Sequence, residues 1–173
     1  RTSIMNNKRA LITGASAGIG AAFAERLAGD GYGLVLVARR RDRLETLSAR
    51  LRAEHSVETE DLTADLTKAD DLKKVEHRLA QAPPVSLLIN NAGFGGYMPF
   101  VELDADRAEE QIQLHVVALT RLTRAAIGGM VTRRYGAVIN VSSRLAFSGS
   151  MPSPPLPKRA TYAATKAYIN TFT

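Results

Sequence analysis

The sequence predicts an α/β fold built on a doubly wound parallel sheet, and three observations carry that prediction. Short apolar runs rich in Val, Ile and Leu alternate with longer amphipathic segments, the pattern of parallel strands joined by crossover helices. A glycine-rich turn, Thr13-Gly14-Ala15-Ser16-Ala17-Gly18-Ile19-Gly20, joins the first apolar run to the first helix-like segment. The chain of 173 residues, 45% hydrophobic and 23% charged, has the size and balance of a single globular domain, 1–173. A domain of that size buries roughly 70% of its unfolded surface, enough for a sizeable core.

The first strand is predicted over Arg9 to Thr13 and the first helix over Gly18 to Gly29, with the glycine turn between them. Gly33 to Ala38 reads as the second strand and Arg41 to Glu54 as the helix that follows it. The third strand is placed at Val57 to Leu62, with a helix from Lys68 to Ala82, and the fourth strand at Val85 to Asn90. A long helix then runs from Asp104 to Arg133, carrying Ile112, Val116, Leu119 and Leu122 at helical spacing, so that this face is expected to be buried. The fifth strand is predicted over Gly136 to Ser142 and a last helix from Ala160 onward. Between these two lies Ser148 to Pro157, with Pro152, Pro154, Pro155 and Pro157, which can continue neither strand nor helix. It reads as a loop past the carboxyl end of the fifth strand, where ligands arrive in open parallel sheets.

Composition narrows the function. With no cysteine there is no disulfide, thiolate catalyst or thiolate-bound metal, and three scattered histidines suggest no metal cluster. No apolar run approaches the ~20 residues of a membrane helix, and Arg1 to Lys8 lacks a signal core, so a cytoplasmic protein is expected. The net charge of +6 is spread over several predicted helices, densest at Arg39-Arg40-Arg41, and no nucleic-acid motif accompanies it. Nucleic acid and membrane are therefore not expected partners.

The glycine turn is a phosphate-binding device. A helix start offers unpaired N–H groups and the positive end of a dipole, and glycines at 14, 18 and 20 let an anionic pyrophosphate come close. About 20 residues further on, after the second strand, the acid that would bind an NAD ribose is replaced by Ala38 and Arg39. A guanidinium there suits a 2′-phosphate, and Ser16 can add a hydroxyl, so NADP (NADPH) is the expected cofactor. Asp65-Leu66 and Asn91-Ala92-Gly93 follow the third and fourth strands on the same side. Asp65 can accept from an adenine amino group, with capping of the next helix by Asp65 or Thr67 as the competing role. Tyr162 and Lys166 sit four apart on one helical face. A free phenol has pKa ~10 and is a poor acid–base group at neutral pH; a nearby ammonium favours the phenolate. Since adjacent strand residues face opposite sides, only one of Ser142 and Ser143 can point into the site.

In order, T-G-x-x-x-G-x-G at 13–20, N-N-A-G at 90–93, a strand-end serine and Y-x-x-x-K at 162–166 resemble the short-chain dehydrogenase/reductase family over nearly the whole chain. The resemblance implies a Rossmann fold with Gly14, Ser16, Gly18, Ile19, Gly20, Arg39, Asp65, Leu66, Asn91, Ala92 and Gly93 around NADP. It implies Tyr162 as general acid–base, Lys166 on the nicotinamide ribose and lowering the phenol's pKa, and Ser143 on the oxygen of a small carbonyl or alcohol substrate. A homodimer or homotetramer built partly on the long helix is implied as well. Three departures stand out. His115 occupies the place of the asparagine that the family uses in a proton relay, and it is expected either to relay protons or to fill space. Tyr162 follows Ser143 by 19 positions, several more than usual, the excess falling in the proline-rich loop. The chain ends at Thr173, where the family continues with further strands, so a truncated fold and a nucleotide-binding, non-catalytic relative are the alternative expectation.

Overall fold

The computed structural model describes residues 8–95, 98–150 and 159–173. Five strands form one sheet: β1 (Arg9–Thr13), β2 (Gly33–Ala38), β3 (Thr59–Thr63), β4 (Leu87–Asn90) and β5 (Ala137–Asn140). Their order is β3-β2-β1-β4-β5 and every pair is parallel, with Leu11 of β1 opposite Val35 and Leu88. The helices are α1 (Gly18–Gly29), α2 (Arg41–His55), α3 (Ala69–Ala80), α4 (Ala105–Ile112), α5 (Leu119–Arg133) and α6 (Ala160–Phe172). Among the described residues no helix is long and apolar enough to cross a membrane.

The central strands are covered on both faces, which is why β2 reads as an unbroken apolar run and not as an alternation. On one face Ala10, Ile12, Leu34, Leu36 and Ile89 pack against Ala24 and Leu27 of α1 and Leu44 and Leu51 of α2. On the other, Leu11, Val35, Val37 and Leu88 meet Leu72 and Val75 of α3 and Leu122 and Met130 of α5. Each of these Val, Leu, Ile and Met side chains, fully buried, contributes about 1.5–3 kcal/mol of transfer free energy. Glu25 of α1 joins His55, Arg50 and Glu54 of α2, and Arg50 pairs with both carboxylates, which makes this histidine and its acids an ion-pair cluster. Those contacts hold the Glu25 carboxyl below its usual range, chiefly through the hydrogen bond from His55.

The order of elements agrees with the expectation, and the differences have local causes. The third strand starts at Thr59, not Val57, because Ser56 ends α2 in a left-handed conformation (φ 54°) and the chain must swing back before it pairs. The fifth strand is shorter than Gly136–Ser142. Gly136 belongs to the turn after α5, where φ is 151° and a Cβ would lie 2.4 Å from the Met130 side chain. At its other end β4 has already finished, and Val141 N–H makes a last bond to Asn90 C=O at 2.9 Å. The fourth strand begins at Leu87; Val85 and Ser86 lead into it, and Ser86 N–H donates to Arg9 C=O at 2.8 Å. The long helix is continuous from Ala105 to Arg133 but contains a π turn over Gln113–Ala118. Ile112 is 45% exposed where it was expected to be buried, while Gln111, His115, Ala118, Leu119 and Leu122 turn inward, so the buried face is centred one residue away from Ile112. Residues 151–158 of the proline-rich segment lie outside the described residues.

Candidate active site

A cleft of about 480 Å³ opens across the carboxyl ends of the strands, at the point where the sheet order reverses between β1 and β4. Its floor is the glycine turn. Gly14 and Gly18 take φ of +67° and +54°, which glycine adopts without strain. At Gly20 a Cβ would stand 2.3 Å from Gly14 O and 2.6 Å from Asn91 Nδ2, so the start of α1 packs on the turn only because this residue has no side chain. The helix start carries no side-chain cap and no acid in its first turn.

Thr13 ties this turn to the loop after β4. Its hydroxyl accepts from Asn91 N–H and Ala92 N–H, both at 3.0 Å, and donates to Ile89 C=O at 3.3 Å. The Asn91 amide in turn donates to Thr13 C=O at 3.0 Å and Gly14 C=O at 3.3 Å. Asn91 thus shapes the turn through its side chain, while Ala92 and Gly93 line the cleft with small groups. Thr13 was not among the site residues read from the sequence; its place as the first residue of the T-G pair was the available signal.

Arg39 and Arg40 both reach the cleft from the end of β2 and are exposed. Arg40 Nη2 donates to Ser16 Oγ at 3.2 Å, so the hydroxyl expected to help Arg39 is held by its neighbour. Arg41 pairs with Glu45 at 3.2 Å, whereas neither Arg39 nor Arg40 has an acidic partner among the described residues. Asp65 and Leu66 form the adjacent wall. Asp65 Oδ1 accepts from the N–H and the hydroxyl of Thr67, at 3.0 and 2.8 Å, and Asp65 N–H donates to the Asp71 carboxylate at 2.9 Å. Asp65 thus spends one oxygen on a turn ahead of α3; neither it nor Thr67 caps the helix, whose N-cap is Lys68 with no side-chain bond.

Tyr162 and Lys166 project from α6 into the same cleft, with Lys166 Nζ 5.8 Å from the phenol ring centre. Lys166 is 5% exposed; its ammonium donates to Val141 C=O at 2.8 Å, and burial pushes it down to about 8. Ser142 lines the cleft, but its hydroxyl donates to Lys166 C=O at 3.0 Å. Ser143 is half-buried beside it, and its oxygen accepts from Leu145 N–H at 3.2 Å. No hydrogen bond among the described residues links Ser143 to Tyr162. His115 lies behind the cleft wall, 1% exposed, its ring edge-on to Tyr162 at 5.6 Å. Nε2 accepts from Phe94 N–H at 3.2 Å and Nδ1 is 2.9 Å from Thr165 Oγ1. Burial, with the Lys166 charge second, pushes its pKa down to about 3, so the ring is neutral.

These residues suit a phosphorylated dinucleotide: an uncapped helix start, a backbone cradle that any Cβ at Gly20 would fill, and two guanidinium groups at the ribose end with no acidic partner among the described residues. The chain resembles known proteins along the same lines. It is 34% identical to the very-long-chain 3-oxoacyl-CoA reductase of Bos taurus over 94% of its own length and 51% of that protein. It spans about half the length of the curated relatives it matches. A short-chain dehydrogenase from Sphingobium yanoikuyae in complex with NADPH superposes with a TM-score of 0.89 at 43% identity, over 95% of this chain and 62% of that one. The bulky-bulky ketone specific alcohol dehydrogenase from Comamonas testosteroni gives 0.89 at 39%, over 95% and 64%. The family model for short chain dehydrogenase matches residues 8–173. The family match over residues 8–173, on an all-parallel sheet of order β3-β2-β1-β4-β5, makes the chain a member of the short chain dehydrogenase family.

Proposed function

We propose that the chain carries the cofactor-binding and proton-donating residues of an NADPH-dependent carbonyl reductase. The observation behind this is that Tyr162 and Lys166 line the same cleft as the glycine turn and the two arginines. Gly14, Ser16, Arg39, Arg40 and Asn91 to Gly93 would hold NADP, which when bound supplies a hydride to the carbonyl carbon. Tyr162 donates the proton that the carbonyl oxygen then needs. Lys166 stands close enough to stabilise negative charge on the phenol and to offer its ammonium to ribose hydroxyls in place of Val141 C=O.

Ser143 holds the substrate oxygen. In its bond to Leu145 it accepts, so its own O–H hydrogen is not engaged by the described residues, whereas that of Ser142 is given to Lys166 C=O. The substrate is a ketone or 3-oxoacyl compound with an apolar body, in keeping with the relatives named above.

Replacing Tyr162→Phe tests the mechanism. Turnover of a ketone panel with NADPH should fall by about 10²–10⁴-fold, the usual worth of a positioned proton donor, while NADPH affinity stays within a few-fold. Unchanged turnover would remove Tyr162 from the mechanism. Tight NADPH binding by the wild type with no turnover would instead favour a non-catalytic nucleotide-binding protein.

A further inference from the structure

We propose that His115 is a neutral clamp that sets the spacing between the cofactor-side loop 91–95 and the proton-donating helix α6, and relays no proton. This rests on the function proposed above only for the meaning of that spacing; the clamp is a property of the fold.

The π turn over Gln113–Ala118 places the ring between two segments. On one side is the loop after β4, in close contact: a Cβ on Gly93 would stand 2.9 Å from His115 Nε2. On the other is the first turn of α6, with Tyr162 and Thr165. The hydrogen bonds run through the ring in one direction. Phe94 N–H donates to Nε2, Nδ1–H donates to Thr165 Oγ1, and the Thr165 hydroxyl donates to Tyr162 C=O at 2.9 Å. Because Thr165 gives its hydrogen to a carbonyl, it must accept from Nδ1, which fixes the tautomer.

Such a chain cannot move a proton. It begins at a peptide N–H and ends at a peptide C=O, neither of which gives or takes a proton near neutral pH. A second proton on Nε2 would face Phe94 N–H donor to donor at 3.2 Å. The Lys166 ammonium on α6 opposes protonation of the imidazole, and Arg107 on α4 lies beyond the Phe94 ring, its guanidinium 3.7 Å from that ring centre. What the chain does is mechanical: Phe94 and Tyr162, one at the cofactor and the other at the substrate, are joined through three hydrogen bonds.

Ring ¹⁵N NMR of the wild-type chain tests this without turnover. The expected result is a neutral Nδ1–H tautomer, unchanged between pH 5 and 9, with and without NADPH. An Nε2–H tautomer, or a titration in that range, would overturn the proposal. Three variants provide the kinetic test. His115→Leu removes both bonds, His115→Gln keeps an acceptor near the Nε2 position, and His115→Asn keeps a donor near Nδ1. In the Leu variant kcat should fall by ~10–100-fold through misplacement of Tyr162, with partial recovery in Gln and Asn. The shape of the pH–rate profile and the solvent isotope effect should not change. A lost limb of that profile in the Leu variant would mean that His115 handles a proton. If the Leu variant does not fold, the wild-type spectrum still decides. If no ketone is turned over, the function proposed above fails while the tautomer result stands.

Discussion

Arg39 and Arg40 leave β2 side by side at the mouth of the cleft, and they differ in what holds them. Arg40 leans on Ser16 Oγ, and Arg39 has no hydrogen-bond or acidic partner among the described residues, so its guanidinium can turn fully to a 2′-phosphate. A hydrogen bond to a charged group contributes about 1.5–3 kcal/mol, so Arg39→Ala should weaken NADPH binding by roughly 10–100-fold and leave NADH binding unchanged. Fluorescence titration with the two cofactors measures the difference; equal losses would show that Arg39 does not read the phosphate. The position of Arg39 could be read from its distance past the glycine turn. That Arg40 takes Ser16 could not, because side-chain directions in a loop follow no period. The serines illustrate the same limit: strand alternation says that Ser142 and Ser143 face opposite ways, but only the hydrogen bonds say whose hydroxyl hydrogen is already committed.

The β1–turn–α1 unit depends on a partner that is remote in sequence. Thr13 is 2% exposed and its hydroxyl satisfies two backbone N–H groups, those of Asn91 and Ala92. Thr13→Val keeps the shape and leaves both donors without that acceptor. The expected loss is about 2–4 kcal/mol in chemical denaturation, accompanied by weaker NADPH binding as the turn loosens. A change below about 1 kcal/mol would mean that water replaces the hydroxyl. Strand and helix order were legible because burial on two faces produces apolar runs and amphipathic segments of distinct length. The π turn was not legible: Ile112, Val116, Leu119 and Leu122 fit an unbroken helix, and nothing in their spacing marks a widened turn over Gln113–Ala118.

For the molecule as a whole, burying a neutral histidine ties stability to pH. Folded His115 titrates at about 3 and an unfolded histidine at 6.5, so between those values the unfolded chain binds the extra proton. Stability from this group is fully present above pH ~6.5 and is lost as the pH falls toward 3, by about 4–5 kcal/mol in all. Glu25, Asp71 and Glu76, each held below its usual range, add a similar trend at lower pH. The contribution of His115 is therefore read as a difference: between pH 7 and 4 the wild type should lose more unfolding free energy than His115→Asn. Parallel losses in the two proteins would show that His115 is not the titrating group.

The bonds from Asn91 to Thr13 span 78 positions of sequence. β1 and β4 are neighbours in the sheet only after β2, β3 and three helices have been accommodated beside them. The phosphate cradle, although written in eight consecutive residues, therefore depends for its shape on a loop that lies far along the chain. Its backbone can reach its final shape only once the distant loop has docked. A nascent chain that has not yet incorporated β4 and the loop after it therefore carries the glycine motif without the contacts that shape the binding site.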